Sequence, residues 1–100
     1  MIDLVRCAVL PHPERAGVQL VGEVDLSNRE LLAQELAQVA TQPSDVYIDV
    51  AGLTFIDVGG MTALATFAHD HDYRVVIEHP SPLLRRIFGE IWTDSELEFA

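Results

Sequence analysis

From residue 17 onward the chain alternates short β-rich runs with helical apolar stripes, and this alternation most constrains its fold. Gly17 to Val24 reads as a strand in which Val18, Leu20 and Gly22 share one face and Gln19, Val21 and Glu23 the other. Leu32, Leu36 and Val39 then recur at helical steps, giving a helix of about three turns. Val46 to Val50 is a short strand, expected at the centre of a sheet. A second helix carries Met61, Leu64, Ala65 and Ala68 along one side, and Arg74 to Glu78 is the next strand. Leu83, Leu84, Ile87, Phe88 and Ile91 form the stripe of a third helix, and Glu96 to Phe99 reads as a last edge strand. Strands separated by helices imply parallel pairing through right-handed crossovers. Ahead of them, Leu4 to Leu10 makes a hairpin with Gly17–Val24 across the turn Pro11-His12-Pro13-Glu14-Arg15-Ala16. The prediction is an α/β fold: an antiparallel opening hairpin, then β-α-β-α-β-α, with helices packed on a mixed sheet of four or five strands.

The helix boundaries carry local signals. Ser27-Asn28-Arg29-Glu30 has the capping-box pattern, serine at the cap and glutamate three residues on, and Gln42-Pro43-Ser44 ends that helix. In Pro80-Ser81-Pro82 serine is the expected cap and proline the first helical residue. Between them, Asp57-Val58-Gly59-Gly60 closes an apolar run with an acid and two glycines. The second helix is expected to follow the glycines, which leave its first N–H groups uncovered for a carboxylate, a phosphate or a partner's backbone. Close packing against the sheet would explain the pair equally well.

One hundred residues, 49% of them apolar, suit a single domain over 1–100 with one core. Six cationic residues, all arginine, face sixteen acids for a net charge of −10, and the excess begins beyond Glu23. Such a chain is repelled by nucleic acid and anionic lipid, so either a protein with a basic face is the expected partner or the charge serves only solubility. Cys7 cannot form an internal disulfide and falls in an apolar run, which predicts a buried, inert thiol. No apolar stretch reaches the roughly 18 residues that span a bilayer. Met1 to Arg6 lacks the basic-then-apolar order of a secretion signal, so a cytoplasmic location is expected.

Parallel pairing places Asp25 and the 51–60 segment at the same edge of the sheet, where sites in open α/β sheets collect. The candidate site is therefore Asp25, Leu26, Ser27, Thr54, Asp57, Val58, Gly59, Gly60 and Met61. Catalysis has little support there. The chain has no lysine, which excludes a Schiff base and a P-loop, and no Gly-x-Ser-x-Gly. Asp25 and Asp57 read as helix or turn caps ahead of an acid–base pair. His69 and His71 project about 200° apart on a helix and have no further ligand at metal spacing, so they read as a solvated helix end. Trp92 and the Phe88–Ile91 stripe read as core ahead of a binding patch. No cofactor or metal is expected.

Three stretches resemble the signatures of the STAS domain, the fold of bacterial anti-sigma factor antagonists. They are Gly22-Glu23-Val24-Asp25-Leu26; Val46 through Asp57; and Pro80-Ser81-Pro82-Leu83-Leu84-Arg85-Arg86-Ile87-Phe88. The resemblance implies a STAS-like fold and a binding module in place of an enzyme. In switching antagonists the motif after Phe-Ile-Asp reads Asp-Ser-Ser-Gly-Leu, and its first serine is phosphorylated by a partner that is both kinase and anti-sigma factor. Here the stretch is Asp57-Val58-Gly59-Gly60-Met61: Asp57 and Gly60 match, and Val58 occupies the phosphoacceptor position. Phosphate would add about −1.5 to −2 charges at a contact surface, and valine cannot receive it. The expectation is a module that binds an anti-sigma factor of the serine-protein-kinase type without a switch at position 58. Thr54 and Thr62 remain as other hydroxyls, with Thr62 expected to face out of its helix. Other roles for a STAS domain are a cytoplasmic subunit of a lipid-exporting ABC transporter, a nucleotide or small-ligand sensor, and a homodimer or assembly piece. Members often end in a further helix beyond the point reached by Ala100.

Overall fold

The computed structural model describes residues 7–91 and 96–100. Its sheet has five strands in the order of the chain: β1 (Cys7–Pro11), β2 (Gly17–Val24), β3 (Val46–Ile56), β4 (Val75–Glu78) and β5 (Leu97–Phe99). β1 and β2 pair antiparallel; every later pair is parallel, with α1 (Arg29–Val39), α2 (Val58–Asp70) and α3 (Pro82–Ile91) in the crossovers. The predicted fold class therefore holds, with β3 at the centre and β5 at an edge. Because each crossover moves the same way along the sheet, crossovers of one hand lay all three helices on one face.

Burial follows from this. Val18, Leu20 and Val24 of β2, Val46, Ile48 and Val50 of β3, and Val75 and Ile77 of β4 point to the helices and are buried. They meet Leu32 and Leu36 of α1, Met61, Leu64 and Ala68 of α2, and Leu84 and Phe88 of α3 in one core. Cys7 joins that core, and burial pushes its thiol pKa up, so it is the unreactive thiol expected. Among the described residues the opposite face bears no helix, and it carries polar contacts. His12 Nε2 meets Glu78 at 2.6 Å, and Asp49 accepts from Gln19 Nε2 at 3.2 Å.

Several boundaries differ from expectation. The strand predicted over Val46–Val50 runs on to Ile56: Gly52 pairs with Val21, and two register shifts, one ahead of that pair and one at Thr54, let Leu53, Phe55 and Ile56 pair with Gly22, Glu23 and Val24. A β-carbon on Gly52 would sit 3.0 Å from the exposed Val21 side chain, a tight contact that Val21 would have to yield to. α2 starts at Val58, so the two glycines lie within its first turn and do not precede it. The capping box does not form. α1 is preceded by Asn28, which makes no side-chain cap; its Oδ1 accepts the Asp25 N–H and its Nδ2 donates to the Glu23 carbonyl. Ser27 instead donates its hydroxyl to Asp25. Ser81 does cap α3, accepting the Leu84 N–H at 3.0 Å. Leu83, placed on the apolar stripe, faces solvent, because Leu84, Ile87 and Phe88 already fill the inward side. β1 begins within the predicted Leu4–Leu10 strand; its first three residues, Trp92 and the side chain of Ile91 lie outside the described residues.

Candidate functional site

β2 and β3 end side by side, with Val24 opposite Ile56. The Asp57 N–H donates to the Val24 carbonyl at 3.1 Å, which ties the two strand exits together. Asp25 follows one strand and Asp57 the other, as parallel pairing required. β4 exits at the same edge, through His79 to Ser81 into α3. Three strand-to-helix junctions thus share one rim of the molecule.

Both aspartates are held by backbone. Asp57 Oδ1 accepts the Gly60 N–H at 2.7 Å and caps α2. Asp25 accepts the Ser27 N–H at 2.9 Å, and its carbonyl accepts the N–H groups of Asn28 and Arg29. These are the structural roles expected of them, made at α2 by a cap and before α1 by a turn.

The helix N-terminus is not bare. Gly60 is buried and its N–H is taken by Asp57; a β-carbon on it would fall 2.7 Å from both Val24 Cγ1 and Ile56 Cγ1. Close packing, one of the two explanations, therefore accounts for Gly60. Gly59 is covered by Arg29, whose Nη2 reaches Asp57 Oδ2 at 3.4 Å. Sequence reasoning missed Arg29. The available signal was topological: two parallel crossovers in sequence set the first residue of α1 beside the first turn of α2.

The other candidates divide by exposure. Met61 is 4% exposed and belongs to the core, since one helical step beyond Gly60 turns it onto the sheet. Thr54 is exposed and donates to the Gly22 carbonyl at 3.1 Å, while Thr62 faces out, bonded to the Val58 carbonyl at 2.8 Å. Leu26 (78%), Val58 (59%) and Leu83 (66%) stand exposed at the three junctions, and Phe55 (51%) beside them at the end of β3. Phe55 and Leu83 border a depression of about 200 Å³ floored by Met61 and Leu84. Neither is among the candidates read from the sequence: Phe55 lies in the 51–60 segment placed at this edge but is not singled out, and Leu83 is assigned to the apolar stripe of the third helix. No group of three His, Cys, Asp or Glu among the described residues is arranged to hold a metal ion. His69 instead pairs with Glu96 at 2.7 Å, and His71 Nε2 contacts the Ser44 carbonyl at 2.9 Å.

The family profile described as Mlab, STAS domain, matches residues 7–94. The chain belongs to the STAS-domain family. Solved structures agree on the fold of this STAS domain. An anti-sigma factor antagonist from Mycobacterium paratuberculosis superposes with a TM-score of 0.67 at 23% identity, covering 92% of this chain and 83% of its own. The anti-sigma factor antagonist SpoIIAA in its unphosphorylated form gives a TM-score of 0.69 at 17% identity, over 94% and 86%. No curated protein matches the chain. No helix among the described residues is long and apolar enough to cross a membrane.

Proposed function

We propose that this STAS domain is a cytoplasmic protein-binding regulator of the anti-sigma factor antagonist kind, with no catalytic role, which docks an anti-sigma factor through the three-junction rim. One observation carries the reading: Leu26, Phe55, Val58 and Leu83 are all exposed at that rim. Clustered exposed apolar side chains mark contact surfaces, whereas scattered ones do not. Asp25 and Asp57 support a binding role over an acid–base one, since their oxygens are engaged in turn and cap bonds. A net charge of −10 favours a partner with a basic face.

Val58 stands at the start of α2, at the position where the resemblance places a phosphoacceptor serine. Its side chain carries no hydroxyl, so the contact is not switched there by phosphate; control comes from expression or from competition for the partner. The test is calorimetry with the anti-sigma factors encoded in the same cell. One of them binds the native protein, and Val58→Asp weakens the complex by a few kcal/mol through a desolvated, unpaired carboxylate. Retention of a transporter ATPase in place of any anti-sigma factor, or an affinity indifferent to Val58→Asp, overturns the proposal.

A further inference from the structure

The turn between β1 and β2 is closed by the side chain of a histidine. The His12 N–H donates to the Gly17 carbonyl at 3.0 Å. Pro13 has no N–H to give, and the next two, those of Glu14 and Arg15, both donate to His12 Nδ1 at 3.1 Å. On the other side of the ring, Nε2 meets Glu78 Oε1 at 2.6 Å, so the turn reaches across the sheet face without helices to β4. The His12 side chain is 6% exposed there. Arg15 follows it over the same face. Its Nη1 lies 3.7 Å from Glu78 Oε2, and its guanidinium lies 4.4 Å from the centre of the Tyr47 ring, to which His12 stands edge-on at 6.4 Å.

These contacts fix the position of the ring's hydrogen. A nitrogen that accepts two N–H bonds carries none, so His12 is the neutral tautomer with its hydrogen on Nε2, donated to Glu78. A second proton can go only to Nδ1, where it would point at two N–H groups that point at it. Imidazolium offers no acceptor, so the ring and both N–H groups cannot then keep their places. The charges around the ring do not relieve this conflict. Glu78 touches the opposite nitrogen, and Arg15 is itself a cation paired with Glu78. Asp49, beside Glu78 in the strand register, already accepts from Gln19 and meets His79, while Glu14 is exposed on the turn.

We propose that residues 12–16 form a proton-operated strap on the sheet. Uptake of a solvent proton at His12 Nδ1 breaks the bonds from Glu14 and Arg15, opens the turn and moves the Arg15 guanidinium off Tyr47. Histidine is the side chain whose ordinary charge change falls between pH 8 and 5. Glu14, Arg15, Tyr47, Asp49 and Glu78 belong to types that ordinarily titrate outside that range. The strap sits at the opposite end of β2 from the rim and is independent of any anti-sigma factor bound there.

The experiment is a nuclear magnetic resonance titration of the isotope-labelled full chain from pH 8 to 5. At pH 8 the His12 ring shows a bare Nδ1 and a protonated Nε2. As that ring takes up its proton, the amide signals of Glu14 and Arg15 and the ring signals of Tyr47 shift with the same midpoint, while the core amides of Ile48 and Leu64 stay in place. In His12→Gln the Glu14 and Arg15 amides lose this pH response, whatever form the turn takes. Glu78→Gln leaves an oxygen for the Nε2 hydrogen but no carboxylate, and both the closed turn at pH 8 and its opening on acidification persist. Thermal melts establish that each variant is folded. The proposal is overturned by a hydrogen on Nδ1 at pH 8, or by a His12 ring that takes up no proton by pH 5. It is equally overturned by turn amides that stay still while His12 titrates, by a response that survives in His12→Gln, or by one that is lost in Glu78→Gln.

Discussion

The guanidinium of Arg29 rests on the α-carbon of Gly59, so closely that a β-carbon built there would lie 2.1 Å from Cζ. The same guanidinium reaches Asp57, the residue that caps α2. One arginine thereby ties the start of α1 to the start of α2, and the first glycine of the pair makes room for it. The second glycine answers to the core: the side chains of Val24 and Ile56 occupy the space its own would need.

The two glycines are therefore expected to respond differently to alanine. Gly59→Ala displaces only the end of a flexible side chain. It gives up a partly exposed ion pair, typically about 0–1 kcal/mol, and gains helix propensity of up to about 1 kcal/mol. The net change should be within about 1 kcal/mol of zero. Gly60→Ala overpacks the core and should destabilise by about 1–3 kcal/mol. Urea denaturation of the two variants measures both, and equal losses would contradict the assignment.

Serine at the two expected caps gives a second contrast. Ser81 accepts the Leu84 N–H, so Ser81→Ala should cost about 1 kcal/mol. Ser27 caps no helix and makes only exposed bonds to Asp25, so Ser27→Ala should fall within about 0.5 kcal/mol of the native protein. Thermal unfolding of the pair distinguishes a working cap from a cap-like sequence.

Position 58 admits a chemical test. Incubated with its anti-sigma partner and ATP, the native chain is expected to keep its unmodified intact mass. Val58→Ser supplies the missing hydroxyl at an exposed site and should gain one phosphate if that partner is a kinase. Stoichiometric phosphate on the native chain, at Thr54 or Thr62, would move the switch elsewhere without removing it.

These contrasts also mark what was legible in the chain. Periodicity located every described strand and helix, because burial against one sheet face imposes periods of two and 3.6. It did not reveal that β3 continues past Gly52, since a glycine that ends a strand and one that lies within it look the same in sequence. Ser27 and Ser81 carry similar local signals, but the Ser27 hydroxyl donates to Asp25 while that of Ser81 accepts the Leu84 N–H. Asp57 could be read from its place before a helix. Arg29 could not, because its contacts lie about thirty residues away and depend on two crossovers being laid side by side.

Asp49, on the face of the sheet without helices, sets a pH dependence. Its carboxylate accepts the Ala51 N–H at 2.9 Å and the Gln19 amide at 3.2 Å, and meets His79 Nδ1 at 3.1 Å. Burial pushes its pKa up, but the hydrogen bonds from Ala51, His79 and Gln19 outweigh burial and hold it below the ordinary aspartate value of 3.8. A carboxylate whose pKa falls on folding contributes stability that is complete above the unfolded value and lost as pH drops through the folded one. Asn at this position keeps an acceptor but does not titrate. Asp49→Asn should therefore be less stable than the native chain at neutral pH, and the gap should close as the pH is taken below 3.8 and through the lower folded value. Urea midpoints of both proteins at a series of acid pH values check this, because every other carboxylate titrates alike in the two and cancels. A gap that stayed constant with pH would mean that Asp49 binds its proton equally well folded and unfolded.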